Sequence, residues 1–284
     1  MIKPSFHIHT DNEPADPHSR YRLLMEVGNH SCSCLLMNLG IMKPEVIKYY
    51  QYNQLKERTP EETIREILDE DELFSREISD FIMIYNFEEC SLVPDIYFSA
   101  DRNRDLIELF HGNLEKGFIL SEKIPWWDLH NVYRVPAGVH RLLKEEFSAA
   151  KHWHVYSLLL KSYKMFQADE SKDLLKVIFS EDRIILLAFK KGQLQLIQSF
   201  FFQEANDVVY FLLNCRKQFS LSSEGLQLEF GGLVDKHSLL YREASKYFEN
   251  ISFEPLGGNI RATPELSEYP LHYFSSLLKM SICV

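Results

Sequence analysis

Arg20-Tyr21-Arg22-Leu23-Leu24-Met25-Glu26-Val27-Gly28-Asn29 decides the fold. Tyr21, Leu23, Met25 and Val27 alternate with Arg20, Arg22, Leu24 and Glu26, a period of two that predicts a strand with one apolar face. Gly28-Asn29 closes it with a turn signal, since both residues tolerate positive φ. Ser31 to Leu39 reads as a second strand, Gly40 as the next turn, and Glu45 to Gln51 as a third strand. The product is a three-stranded antiparallel meander.

Thr59-Pro60-Glu61-Glu62 then opens a helix, with Thr at the N-cap, Pro at the first helical position and acids in the positive first turn. A helical piece from Glu72 to Ile78 leads into Phe81-Ile82-Met83-Ile84-Tyr85, a buried strand. A helix over Asp101 to Phe110 follows, stopping at Gly112. Strands are expected at Gly117 to Leu120 and Asn131 to Val135. Pro136 starts a long helix through Leu142, Leu143 and Phe147 that continues to about Trp153.

From Leu174 the order returns. Strands are predicted at Leu174 to Phe179, Arg183 to Phe189 and Leu194 to Phe202, then a helix with Val208, Val209, Leu212 and Leu213 at helical spacing. Leu226 to Phe230 is a strand ending in Gly231-Gly232, Leu239 to Tyr247 a helix, and Ile251 to Phe253 a last strand. A meander extended through helical crossovers is the ribonuclease-H-like plan, an α/β (α+β) fold. Two copies give the actin-like ATPase architecture, and two unrelated α+β domains are the alternative. The expected divisions are a tail or edge-hugging lead-in over 1–18, a first unit over 19–150 and a second over 151–284.

The chain resembles an uncharacterised bacterial family, a domain of unknown function with the actin-like ATPase fold. The opening meander carries the likeness, with Ser91-Leu92-Val93-Pro94, Leu226-Gln227-Leu228-Glu229-Phe230-Gly231, Ser238-Leu239-Leu240-Tyr241, Tyr247 and Pro270-Leu271-His272-Tyr273-Phe274. The resemblance implies the fold and brings no established activity. Active members of the wider fold place an acid and a glycine in each first hairpin, because backbone must approach phosphate closely and a hard oxygen must hold magnesium. Here the first hairpin offers Glu26, Gly28 and Asn29, with the carboxylate one methylene further out. The second offers Phe179-Ser180-Glu181-Asp182, with no glycine and two like charges where a phosphate would lie. Gly231-Gly232 fits a nucleoside motif, and equally a plain strand-to-helix turn. These are the candidate cleft residues. They imply a pseudo-ATPase: no catalytic residues, no cofactor, no metal, no tight nucleotide binding, and a role as a binding or scaffold protein with a protein partner. The alternative is a nucleotide-binding ATPase or switch.

Composition agrees with that class. The 284 residues are 45% hydrophobic and 25% charged, the balance of a globular chain, and the net charge of −10 repels nucleic-acid backbones. No apolar stretch approaches the ~18 residues that span a bilayer. Five scattered cysteines and an N-terminus without a secretory pattern lead to the expectation of a reduced, cytoplasmic protein. His30, Cys32 and Cys34 share one strand face, a spacing that favours core packing over zinc. His7 and His9 fall in the tail. His152 and His154 are placed on the long helix, where residues two apart diverge. Trp126-Trp127 is expected to wedge a loop onto the core, Asp69 to Glu72 to be a solvated junction, and Phe200-Phe201-Phe202 to be buried.

Overall fold

The computed structural model describes residues 2–10, 20–52, 58–76, 78–113, 116–166, 169–181, 183–222 and 224–284. Two compact units divide the chain. One comprises Met1–Lys164, Asn259–Leu266 and Met280–Val284; the other comprises Met165–Gly258 and Ser267–Lys279.

In the first unit the meander is β2 (Tyr21–Gly28), β3 (Ser31–Asn38) and β4 (Lys43–Gln51). A further strand, β1 (Phe6–His9), pairs antiparallel with β4 and leads the chain order. Residues 6–9, read as a tail or an edge-hugging lead-in, pair along the sheet edge; Ile8 is buried while His7 and His9 face out, and four residues are too few to display a period. Helix α1 (Pro60–Glu70) connects to β5 (Asp80–Asn86), which lies parallel to β2. Its capping box is complete: Glu62 N–H donates to Thr59 Oγ1 at 3.3 Å and Thr59 N–H to Glu62 Oε2 at 2.8 Å. Helix α3 (Ala137–Glu146) leads to β9 (Lys151–His154), parallel to β5, and α4 (Val155–Phe166) follows. The sheet order is β1-β4-β3-β2-β5-β9.

Between β5 and α3 lies a separate module. Strands β6 (Cys90–Pro94), β7 (Gly117–Ile124) and β8 (Leu129–Pro136) form a three-stranded antiparallel sheet in the order β6-β8-β7, accompanied by α2 (Asn103–His111). The alternation in β2 predicts one apolar face, but both of its faces are covered, with Leu24 fully enclosed and Arg22 buried on the side opposite Leu23, Met25 and Val27. Leu23, Met25 and Val27 enter a core with Cys32, Cys34, Ile64, Ile67, Val139, Leu142 and Leu143, at about 1.5–3 kcal/mol for each large side chain fully buried.

The second unit repeats the topology with β10 (Leu174–Phe179), β11 (Arg183–Lys190), β12 (Gln193–Phe201), α5 (Ala205–Gln218), β13 (Gln227–Gly232), α6 (Leu239–Ala244) and β14 (Ile251–Phe253). Its order is β12-β11-β10-β13-β14, again a meander followed by two parallel strands. Helix α7 (Ser275–Ile282) ends the regular structure. Each unit is thus ribonuclease-H-like.

Several local expectations are corrected. The long helix stops at Glu146, and residues 151–154 turn into β9 because pairing with Ile82 to Tyr85 satisfies their backbone. That pairing carries the first unit past 150. Asp71 is not solvated: its carboxylate accepts from Lys48 Nζ at 2.6 and 2.8 Å and from the Tyr50 hydroxyl, and Leu73 N–H donates to it at 2.9 Å. Trp127 packs inward, its Nε1 donating to Leu160 O at 3.1 Å, but Trp126 remains 64% exposed. Phe200 stacks on Phe211 at 4.5 Å and Phe202 meets Phe179 edge-on, whereas Phe201 is 53% exposed. Among the described residues no helix is long and apolar enough to cross a membrane.

Candidate functional site

Ligands of open α/β sheets bind beyond the carboxyl ends of the parallel strands. In the first unit those ends are Gly28 of β2, Asn86 of β5 and His154 of β9. Gly28 lies opposite Asn86, and a Cβ on Gly28 would sit 2.9 Å from Asn86 O. The glycine is required by this close approach. Its φ, and that of Asn29, is not in the left-handed region, so the turn chemistry expected for the pair is not what places them. The Tyr52 hydroxyl lies 2.6 Å from Gly28 O and 2.8 Å from Ser31 O, pinning both ends of the hairpin. Glu26 Oε1 accepts from Asn86 Nδ2 at 2.6 Å, so its carboxylate is engaged across the strand pair.

Asn29 lines a 150 Å³ pocket with Phe87, Glu88, Glu89, Lys116 and Arg134. Arg134 is buried, paired with Glu89 at 2.8 Å and donating to Gly112 O at 2.8 Å. The pocket's two cations face two carboxylates, so it offers no net positive field to an anion.

Beside it lies a histidine cluster that the sequence does not announce. The Tyr85 hydroxyl sits 2.7 Å from His140 Nδ1 and 2.8 Å from His152 Nδ1. A phenol carries one proton, so one imidazole must donate to its oxygen while the other accepts. Burial, with Lys144 and His140 nearby, lowers the His152 pKa to about 4. His154, on the same strand, accepts from Tyr156 N–H at Nδ1 and donates from Nε2 to Phe87 O, 2.9 Å away. Glu122 of β7 is buried and its pKa is raised to about 7. It accepts from His154 N–H at 2.9 Å and from the Tyr133 hydroxyl at 3.1 Å. The only sequence signal was His152-x-His154, and a helical assignment set the two side chains apart where a strand puts them on one side.

In the second unit Ser180 N–H donates to Arg183 O at 2.8 Å, closing the β10–β11 hairpin, and Glu181 is exposed on it. Asp182 lies outside the described residues. Gly232 stands opposite Phe179 in β10 and has φ +75°. A Cβ there would come 2.2 Å from Phe179 O. Gly231 makes room for a carboxylate: its Cβ would meet Glu254 Oε2 at 2.6 Å. Glu254 is ionised and enclosed. Its Oε1 accepts from Lys176 Nζ at 2.5 Å and Lys279 Nζ at 3.0 Å, and its Oε2 from Ser276 Oγ at 2.5 Å. Lys176 also donates to Glu229 at 2.8 Å. Burial works to raise the Glu254 pKa, but the two ammonium groups outweigh it and hold it at about 2.

Within each unit, then, the predicted residues cluster at one strand end: Glu26, Gly28 and Asn29 in the first, Gly231 and Gly232 in the second. Sequence reasoning missed Asn86, Arg134, Tyr85 and Glu254, whose roles depend on contacts dozens of residues away. Cys32 and Cys34 are core residues, their sulfurs 3.9 Å apart. Among the described residues no group of three or more His, Cys, Asp or Glu side chains is placed to hold a metal.

The fold has solved counterparts. A Bacteroides thetaiotaomicron protein with an actin-like ATPase fold and unknown function matches with a TM-score of 0.73 at 16% identity, over 91% of this chain and 95% of that one. The PilM–PilN type IV pilus biogenesis complex matches with a TM-score of 0.61 at 10% identity, over 92% and 96%. The ethanolamine utilization protein EutJ from Carboxydothermus hydrogenoformans matches at 0.51 and 7% identity, over 97% and 93%. No curated protein sequence matches. The repeated strand order and these likenesses together give the chain an actin-like ATPase fold. Residues 11–251 match the family described as Protein of unknown function (DUF3822), and the chain belongs to that family.

Proposed function

We propose that the chain is a non-catalytic actin-like-fold protein that binds a protein partner and does not turn over nucleotide. One observation carries the reading: the glycine pair is consumed by packing. Gly232 abuts the Phe179 backbone and Gly231 abuts the Glu254 carboxylate, itself neutralised by Lys176 and Lys279, so the positions where backbone would approach a nucleotide meet protein atoms instead. Glu26, tied to Asn86, supports the same conclusion from the first unit.

Protein binding is favoured by what the inserted module exposes. Ile96, Tyr97, Leu109 and Phe110 are 65–82% exposed, large apolar side chains of the kind that contact partners. A similar fold occurs in the PilM–PilN complex, where it is part of a protein assembly.

A thermal-shift titration with Mg-ATP, beside a phosphate-release assay, tests the reading. A ligand present at 100 times its Kd stabilises a fold by about 2.7 kcal/mol. No shift and no phosphate release are expected up to millimolar Mg-ATP. A shift of several degrees in the wild type that vanishes in Glu26→Gln would make the chain a nucleotide binder and remove the proposal.

A further inference from the structure

The module between β5 and α3 carries an apolar groove. A short 3₁₀ turn, Asp95–Tyr97, leaves β6 and stands across from α2, and the cavity between them measures about 310 Å³. Val93, Tyr97, Leu106 and Leu109 line it, together with the exposed Arg102 and Asp105. Tyr97 is 75% and Leu109 77% exposed, and each has an exposed apolar neighbour in sequence, Ile96 and Phe110. Single apolar side chains on a surface need no explanation, but four on two elements that share a cavity mark a contact site.

The turn is fixed at its first residue. Asp95 N–H donates to Asp128 O at 2.9 Å, and the Asp95 carboxylate lies 2.5 Å from Lys123 Nζ and 3.1 Å from His130 Nε2. Phe98, just past the turn, stacks on the His130 ring. Groups already held in place lose less freedom on binding, so Ile96 and Tyr97 are presented for contact at low entropic cost.

Charge sets the sign of the partner. Arg104 pairs with Glu108 at 3.3 Å, and Lys123 pairs with Asp95. Along the helical run from Ala100 to His111 this leaves Asp101 and Asp105 against the single cation Arg102, on a chain whose net charge is −10. Such a rim repels an anionic lipid surface and an acidic second copy, and it attracts a basic segment. Tyr97, Leu106 and Leu109 offer side chains of a turn and a helix, the kind of wall that accepts the apolar face of a helix.

We propose that this groove holds a basic amphipathic helix of a partner protein, its apolar face on Tyr97, Leu106 and Leu109 and its Lys or Arg side chains toward Asp101 and Asp105. This rests on the partner-binding reading above and adds where the partner sits and what it carries.

Fluorescence polarisation on the full chain, with two labelled helical peptides of about 18 residues and the same apolar pattern, one Leu/Lys and one Leu/Glu, tests it. The Leu/Lys helix is expected to bind about tenfold or more tighter than the Leu/Glu helix. Leu109→Lys is expected to weaken Leu/Lys binding about tenfold, since it removes an apolar contact and adds a like charge. Tyr210→Lys makes the same change of charge at an exposed apolar residue of α5 and is expected to leave binding unaltered. Both sites are exposed, and matching melting curves check that the variants fold. Equal binding of the two peptides, wild-type binding by Leu109→Lys, or equal loss in Tyr210→Lys overturns the groove. Pelleting of the wild type with phosphatidylcholine–phosphatidylserine vesicles would give these side chains to a lipid surface and overturn it as well. Each of these results leaves the non-catalytic reading standing, because that reading falls on Mg-ATP binding.

Discussion

Glu254 is bonded to three side chains while almost wholly enclosed, so its removal leaves Lys176 and Lys279 buried without their shared acceptor. Breaking one partner out of a buried ionic group costs about 3–5 kcal/mol, and Glu254→Ala is expected to lower stability to urea by that order. The wild-type pH profile should carry the same residue. A carboxyl whose folded pKa is about 2 against 4.5 unfolded contributes stability that is complete above 4.5 and lost as pH falls toward 2. His152, lowered to about 4 from 6.5, likewise favours its neutral form, and its contribution disappears as pH falls from 6.5 to 4. His152→Gln should therefore lose less stability than the wild type over that window, measured by chemical denaturation at each pH. Glycine was readable at 28, 231 and 232 as a residue with a reason. The reasons, Asn86 O, Glu254 and Phe179 O, lie 23 to 58 positions away and leave no local trace.

Elements with local signals were legible, and those defined by pairing were not. Helix α1 is announced by Thr59, Pro60 and Glu62, and the capping box is present as read. Thr59→Ala is expected to cost about 1 kcal/mol in thermal or urea unfolding. Strand β9 reads as the tail of a helix because Lys151 to His154 carry no alternation of their own; pairing with β5 makes them a strand. Helix α4 is buried nearly all round, so it has no polar face for a period to reveal. Strand β1 covers the β4 edge with a single buried side chain, Ile8, on its outward-alternating pattern. Ile8→Asp should release β1, lower the melting temperature by a few degrees and raise β4 amide exchange; unchanged exchange in β4 would show that β1 does not protect that edge.

The duplication was visible at the scale of the whole chain because element order survives when letters diverge. The unit boundaries were less so, since residues 259–266 and 280–284 return to the first unit through contacts such as Arg22 Nη1 to Ser281 O at 2.7 Å.

If the protein's own backbone and carboxylate fill the glycine-bearing strand ends, nucleotide has no seat there. Isothermal calorimetry of the full chain with Mg-ATP addresses it directly. The expected isotherm is flat to millimolar nucleotide. A one-site isotherm with a low-micromolar Kd would contradict it.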